Sequence, residues 1–295
     1  MQSSLKRSNL ALLAVATLSV AVPATPQAPP QKAPDAKEIV RRASDAAGGM
    51  DAFRNLGIVH MIRDREEVMQ NGETARGQTV IVISAPGPIP ARLEVPQNRV
   101  ISGDDGNGGW AIQAGTPDQR QSTTYMIKRL VTTELFTLML PFSLNWDGVQ
   151  VVKVEAGNLG KRPVWRLALS MARSFFHTPQ IPTYWNVYLD RESYALVRAE
   201  CPPIDLGKGM KSDGMRCTWS QPVKLGGIWL PGQQTVTAVD EQGAEKAHSR
   251  IDRMSYRLLP ATEATRLFGN PIPPDKRPKQ KFQPPENKGQ VPQQS

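Results

Sequence analysis

The residues of this chain that could do chemistry are few and scattered. Its three histidines, His60, His177 and His248, stand far apart, and none has a partner at the i, i+4 spacing that puts two imidazoles on one helix face around a metal. Asp104 and Asp105 could serve as an acid–base pair. They sit, however, in Gly103-Asp104-Asp105-Gly106-Asn107-Gly108-Gly109, where Asp and Asn side chains hydrogen-bond their own backbone and glycine supplies positive φ, so turn formation explains them better. The same loop lacks the terminal glutamate of a calcium-binding hand. No Gly-x-Ser-x-Gly elbow, phosphate loop or dinucleotide fingerprint occurs. The residues therefore point away from an enzyme and call for no metal and no cofactor.

Two cysteines remain, Cys201 and Cys217, each at the end of an expected strand and flanking the loop Pro202 to Met215. A disulfide across a hairpin and two unpaired thiols in adjacent strands both fit this spacing. The oxidising compartment that a disulfide needs is indicated by the N-terminus. Lys6 and Arg7 precede an apolar run from Leu10 to Val22, and Val22-Pro23-Ala24 offers small residues for cleavage, the pattern of a signal peptide over residues 1–24. No cysteine follows to carry a lipid anchor, so a periplasmic or secreted protein is expected.

Residues 25–34 are rich in Pro, Gln and Ala and read as a disordered linker; residues 270–295, rich in Pro, Lys and Gln, read as a disordered tail. These ends also hold much of the charge. Of the formal net charge of +9, three uncompensated bases lie in residues 1–34 and five bases against two acids in residues 270–295, which leaves +3 for the domain at 35–269. That is too little for a nucleic-acid-binding face. The basic tail could instead contact an anionic membrane surface or an envelope protein.

Within 35–269 the periodicity is mostly two. Asp35 as N-cap and Glu38 three residues on suggest a capping box for a first helix, with Ile39, Val40, Ala43, Ala46 and Ala47 on one face and Gly48-Gly49 as its stop. Met50 to Asn55 reads as a turn. Ile58–Met69 and Thr74–Ser84 flank Asn71-Gly72, a strong hairpin signal. Further strands are expected at 92–95, 99–101, 110–112, 149–155, 162–170 (across a turn at Gly157 to Gly160), 184–189, 195–201, 215–221, 228–239 and 246–256, with a short helical turn in 258–268. Roughly eleven antiparallel strands in nearly uniform succession must curl into an open half-barrel with covering helices, because flat sheets of that size leave their edges exposed. One amphipathic helix, Met126 to Leu140, interrupts them. Ile127, Leu130, Val131, Leu135, Leu138 and Met139 share a face, with Phe136 and Met126 at its border. Such a face is either ordinary core or the lining of a cavity. Trp110 lies on a strand, and Trp146, next to Asp147-Gly148, is placed for a cavity mouth.

Taken together these residues resemble the LolA/LolB-type periplasmic lipoprotein-carrier superfamily over most of 36–256. The likeness rests on the first helix ending in Gly-Gly, the Gly72 hairpin, Pro90-Ala91-Arg92-Leu93-Glu94, Asp105-Gly106-Asn107-Gly108-Gly109-Trp110 and the mid-chain helix. Tyr188-Leu189-Asp190-Arg191-Glu192 and Leu225-Gly226-Gly227-Ile228-Trp229-Leu230-Pro231 complete it. The resemblance implies an unclosed antiparallel barrel that holds a hydrophobic ligand, a lipid or lipoprotein acyl chain, beneath the 126–140 helix, with Trp110 and Trp146 near it. As the alternative, ranked below ligand binding, it admits an envelope sensor that binds a partner protein through the same barrel. In the carrier proper an arginine before a strand-ending proline closes the lid; the matching position here is Ala85, so apolar-ligand binding carries over and the carrier's mechanism does not.

Overall fold

Strand β1 (Ile58–Val68) and the last strand, β15 (Glu245–Leu259), pair antiparallel over eleven residues, from Ile58 opposite Leu259 to Val68 opposite Ser249. Everything else is built outward from that pair. The computed structural model describes residues 35–106, 108–118, 132, 134–172, 184–203, 205–207 and 210–276. On one side of β1 the chain meanders through β2 (Thr74–Ser84), β3 (Ala91–Val95), β4 (Val100–Asp104), β5 (Gly109–Gln113) and β6 (Thr116–Pro117). On the other side of β15 lie β14 (Ile228–Val239), β13 (Gly214–Leu225), β10 (Leu196–Cys201), β9 (Tyr184–Asp190), β8 (Arg162–Met171) and β7 (Val149–Leu159). The result is one 13-stranded antiparallel sheet, with β6 and β7 as its edges; β11 (Asp205–Gly207) and β12 (Met210–Lys211) form a separate ribbon. The sheet is not closed into a barrel.

The mainly β, open-sheet architecture expected above is present, with corrections. The sheet has thirteen strands: the twelve ranges expected above are joined by β6, a two-residue strand containing Pro117 that carries no periodicity of its own. The succession is not uniform either: after β6 the chain passes to the opposite edge and works back to β1, so neighbours β1 and β15 are the first and last strands. The β7–β8 turn is tighter than expected, because Gly157, Asn158 and Leu159 stay in the ladder opposite Val164, Pro163 and Arg162. Met50–Arg54 forms a five-residue helix, α2, instead of a turn.

Helix α1 (Ala36–Ala46) starts after Asp35, but no side-chain cap forms there. Glu38 is held instead by Arg41 and Arg42, at 2.8 and 2.6 Å, and so does not reach back to the N-terminus. Of the 126–140 helix, residue 132 and residues 134–138 are helical; the remainder of 119–133 lies outside the described residues. Residues 139–141 turn and lead into a 3-10 helix, Phe142–Asn145.

The two faces of the sheet are treated differently. Val59 and Met61 of β1, Ile81 and Ile83 of β2, Leu93 of β3, Leu167 and Leu169 of β8 and Val187 and Leu189 of β9 join a single buried cluster with Leu135, Phe136, Leu138 and Met139. Strands from both arms of the sheet can share one cluster with that segment only if the sheet wraps around it. Phe136 lies 5.6 Å from Trp185, and Phe53 of α2 stacks on Phe142 at 4.5 Å. The other face is covered at β1 and β2, where Leu267 and Phe268 of the helix Ala264–Phe268 pack on Ile58 and Val82. Packing continues past Gly269, since Ile272 is also buried.

Candidate ligand site

The end of α1 is pinned to the β13–β14 turn by a close approach of Gly48 to Gly227 and by a backbone hydrogen bond. Gly48, at φ +114°, approaches so closely that a Cβ there would stand 2.6 Å from the Gly227 carbonyl oxygen and 2.7 Å from the Ile228 Cα. One residue away, the Trp229 amide donates to the Ala47 carbonyl at 2.7 Å. Two short motifs far apart in the chain, Gly48-Gly49 and Gly226-Gly227, thus meet in space. Where α1 lifts away from this contact, a pocket of about 270 Å³ opens between the helix and strands β10, β13 and β14.

Its walls are mostly apolar, with Ser220 of β13 among them. Ala43, Ala46 and Ala47 of α1 supply small side chains on one side, Trp219 and Trp229 the aromatic opposite side, and Leu140 with Pro141 the inner end. The alanines leave the space: bulkier residues at that i, i+3, i+4 spacing would fill it. Pro222 and Pro231, also in the wall, face each other across the β13–β14 ladder and contribute no N–H donor. Trp229 is 45% exposed, with the Lys224 ammonium 5.7 Å from its ring centre.

The sheet face that carries Trp219 and Leu230 of the pocket wall also carries a row of polar side chains. Arg65 of β1 stands opposite Asp252 of β15, Asp252 opposite Gln234 of β14, and Gln234 opposite Trp219 of β13. Cross-strand partners share a face, so the row runs from the wall of the pocket to Arg65. Arg65 Nε donates to Asp252 Oδ1 at 2.9 Å, and Arg250 Nε lies 3.0 Å from Asp252 Oδ2. Glu134, from the helical segment over the sheet, pairs with Arg63 and lies 3.6 Å from Arg65 Nη2. Burial pushes the Glu134 carboxyl up, but the guanidiniums of Arg63, Arg250 and Arg65 together outweigh it and hold the group at about 2. Glu67 and His248 form a separate pair at 2.7 Å at the next position along β1. Several polar atoms of the row and its neighbours are buried without a hydrogen-bond partner: Arg63 Nε, Arg65 Nη2, Trp219 Nε1, Arg250 Nε, Asp252 Oδ2 and both polar side-chain atoms of Gln234.

The residues singled out in the sequence are distributed as follows. Leu135, Leu138 and Met139 are wholly buried and belong to the main cluster; among the described residues of their segment the pocket touches Leu140 and Pro141. Ile127, Leu130 and Val131 lie outside the described residues. Trp110 is buried over Gly103, where a Cβ would come within 2.7 Å of its ring. Trp146 is buried too, its indole N–H donating to the Pro86 carbonyl at 2.7 Å. Asp104 behaves as turn chemistry requires, accepting from the Gly106 amide at 2.8 Å.

Cys201 and Cys217 are not bridged; both are free and buried. The register explains it: Cys217 pairs with Ala199 and Cys201 with Met215, so the two thiols sit diagonally across β10–β13. Burial pushes both up to about 12. His60 has the Arg257 Nη2 at 3.5 Å and His177 lies outside the described residues. Among the described residues no three of His, Cys, Asp and Glu converge as a metal site, and no helix is long and apolar enough to cross a membrane.

Sequence reasoning missed the polar row and the β13–β14 wall. The row is spread over Arg65, Trp219, Gln234 and Asp252, which lie near one another only through strand register. The available signal was the break in apolar alternation on β1, β14 and β15, where the face that carries Met61, Val236 and Met254 also carries Arg63, Arg65, Gln234 and Asp252.

No protein-family model and no curated protein matches the sequence. The fold is similar to several solved structures at low identity. A LolA superfamily protein of Nitrosomonas europaea is 12% identical, with 79% of this chain aligned to 98% of that one at a TM-score of 0.49. A DUF1329 family protein of Desulfovibrio piger is 13% identical over 77% of this chain and 98% of its own, at 0.47. A domain of Vibrio parahaemolyticus described as an outer membrane lipoprotein-sorting protein is 12% identical over 79% and 98%, at 0.46. These are similarities of fold.

Proposed function

We propose that the protein is a non-catalytic binding protein of an exported compartment that takes up the acyl chain of a lipid or of an acylated protein in the pocket between α1 and strands β10, β13 and β14. The observation that carries this reading is the pocket itself: about 270 Å³, walled by alanine, leucine, proline and two tryptophans, and open beside the half-exposed Trp229. Ligand pockets of this kind are largely apolar with a few oriented polar groups, and at this size one chain segment fits rather than a bulky cofactor. Burial of a chain supplies about 0.8 kcal/mol per methylene, so affinity needs no reactive group.

The test is a titration of the purified protein with a fluorescent fatty acid, read by transfer from Trp219 and Trp229, beside native mass spectrometry for co-purifying lipid. Ala46 is exposed at the pocket wall, so Ala46→Trp should fold normally and fill the space. Loss of probe uptake with an unchanged melting temperature is the expected result. Equal uptake by both proteins would move the site elsewhere, and no uptake by either would sink the reading.

A further inference from the structure

Resting on that pocket, a second property follows from the row beside it. We propose that the ligand is an amphiphile with an anionic oxygen head, a carboxylate or phosphate, and that this head lodges against Trp219 Nε1, Gln234 and Arg65 while the chain occupies the pocket. Trp219 belongs to both: its side chain lines the apolar wall, and its indole N–H is buried without an acceptor. Gln234, opposite it on β14, is fully buried with neither its amide nitrogen nor its oxygen partnered. A buried amide left unpaired on both sides destabilises the fold by itself, so a group that completes it is the physical reason for its presence.

The chemistry of the open positions selects the head. Asp252 Oδ2 and Arg250 Nε, also without a hydrogen bond, face each other at 3.0 Å, and Arg65 Nη2 has Glu134 only at 3.6 Å; beside them Trp219 Nε1, Gln234 Nε2 and Arg63 Nε are open donors, against one acceptor with no ionic partner, Gln234 Oε1. A group rich in acceptors and carrying negative charge matches that set; an ammonium or a hydroxyl donor does not. The carboxylates in the row do not oppose it, since Asp252 is flanked by Arg65 and Arg250 and Glu134 by Arg63 and Arg65. Adjacent strands stand about 4.8 Å apart, so Gln234 is one strand from Trp219 and Arg65 three.

The experiment compares hexadecanoate, 1-hexadecanol and 1-palmitoyl lysophosphatidate by calorimetric titration of the delipidated full chain. The anions should bind at least about tenfold tighter than the alcohol, the gain expected of hydrogen bonds to a charged group; whichever anion binds tighter identifies the head as carboxylate or phosphate. Gln234→Met keeps the shape and removes the unpaired polar atoms, so its melting temperature should hold or rise, its alcohol affinity should hold, and the preference for the anions should collapse to within about twofold. Trp219→Phe removes the single indole donor and should reduce the preference in the same direction. Equal binding of acid and alcohol by the wild type, or an undiminished preference in Gln234→Met and Trp219→Phe, would overturn the head-group assignment and leave the pocket standing. Binding of none of the three would overturn both.

Discussion

At the scale of single residues, the most consequential contact outside the pocket is that of Glu134 with Arg63. Arg63 is 3% exposed, and a guanidinium that buried needs its partner. The Glu134 carboxyl, held at about 2 against an ordinary 4.5, binds a proton more weakly folded than unfolded. Its contribution to stability is therefore complete above about pH 4.5 and is lost as pH falls through the folded value near 2. Glu134→Gln should lower stability at pH 7 by about 3 kcal/mol, because Arg63 is left buried without a counter-charge. It should also melt with a shallower pH dependence between 4.5 and 2 than the wild type. Parallel melting curves for the two proteins over that interval would show the contact to be idle.

At the scale of elements, the junction of α1 with the β13–β14 turn sets the pocket's width. Gly48 cannot carry a side chain without displacing Gly227 or Ile228, and its positive φ disfavours any other residue. Gly48→Ala should lower stability by about 2 kcal/mol, measured by urea unfolding, and weaken probe uptake as the helix is pushed from Trp229. Gly49→Ala is the control for helix termination, since Gly49 also has positive φ but nothing lies within 4 Å of a Cβ there; equal losses in both would assign the effect to backbone strain alone. The buried segment 134–142 belongs to this scale as well. Its side chains Leu135, Phe136, Leu138, Met139 and Phe142 are buried within the cluster that the wrapped sheet encloses, the first of the two environments its amphipathic pattern allowed. Periodicity reports which residues avoid water and is silent on whether they meet protein or ligand.

For the molecule as a whole, stability is organised from the β1–β15 pair outward. The first and last strands of the sheet meet at its middle, so neither arm has a complete core without the other. Amide hydrogen exchange should be slowest in β1, β14 and β15 and fastest in the edge strands β6 and β7, with urea unfolding as one transition. Two separate transitions, or protection in β6 equal to that in β1, would mean that the arms are independent. Such long-range pairing closes late, so refolding in the millisecond to second range fits this topology.

The sequence by itself determined what local interactions decide. The 58–68 and 74–84 strands and their Asn71-Gly72 hairpin, the Gly48-Gly49 stop, the turn at Asp104 to Gly106 and the antiparallel class were all legible, because alternation and turn chemistry act within a few residues. Register and neighbourhood were not. That Trp219, Gln234, Asp252 and Arg65 form one row, that Cys201 and Cys217 lie diagonally and remain free, and that α1 closes over Trp229 depend on how strands far apart in the chain align. A one-residue slip in any of those pairings would turn a whole strand's side chains to the other face, and the energy that prevents it comes from the packed core, which exists only once the tertiary structure has formed.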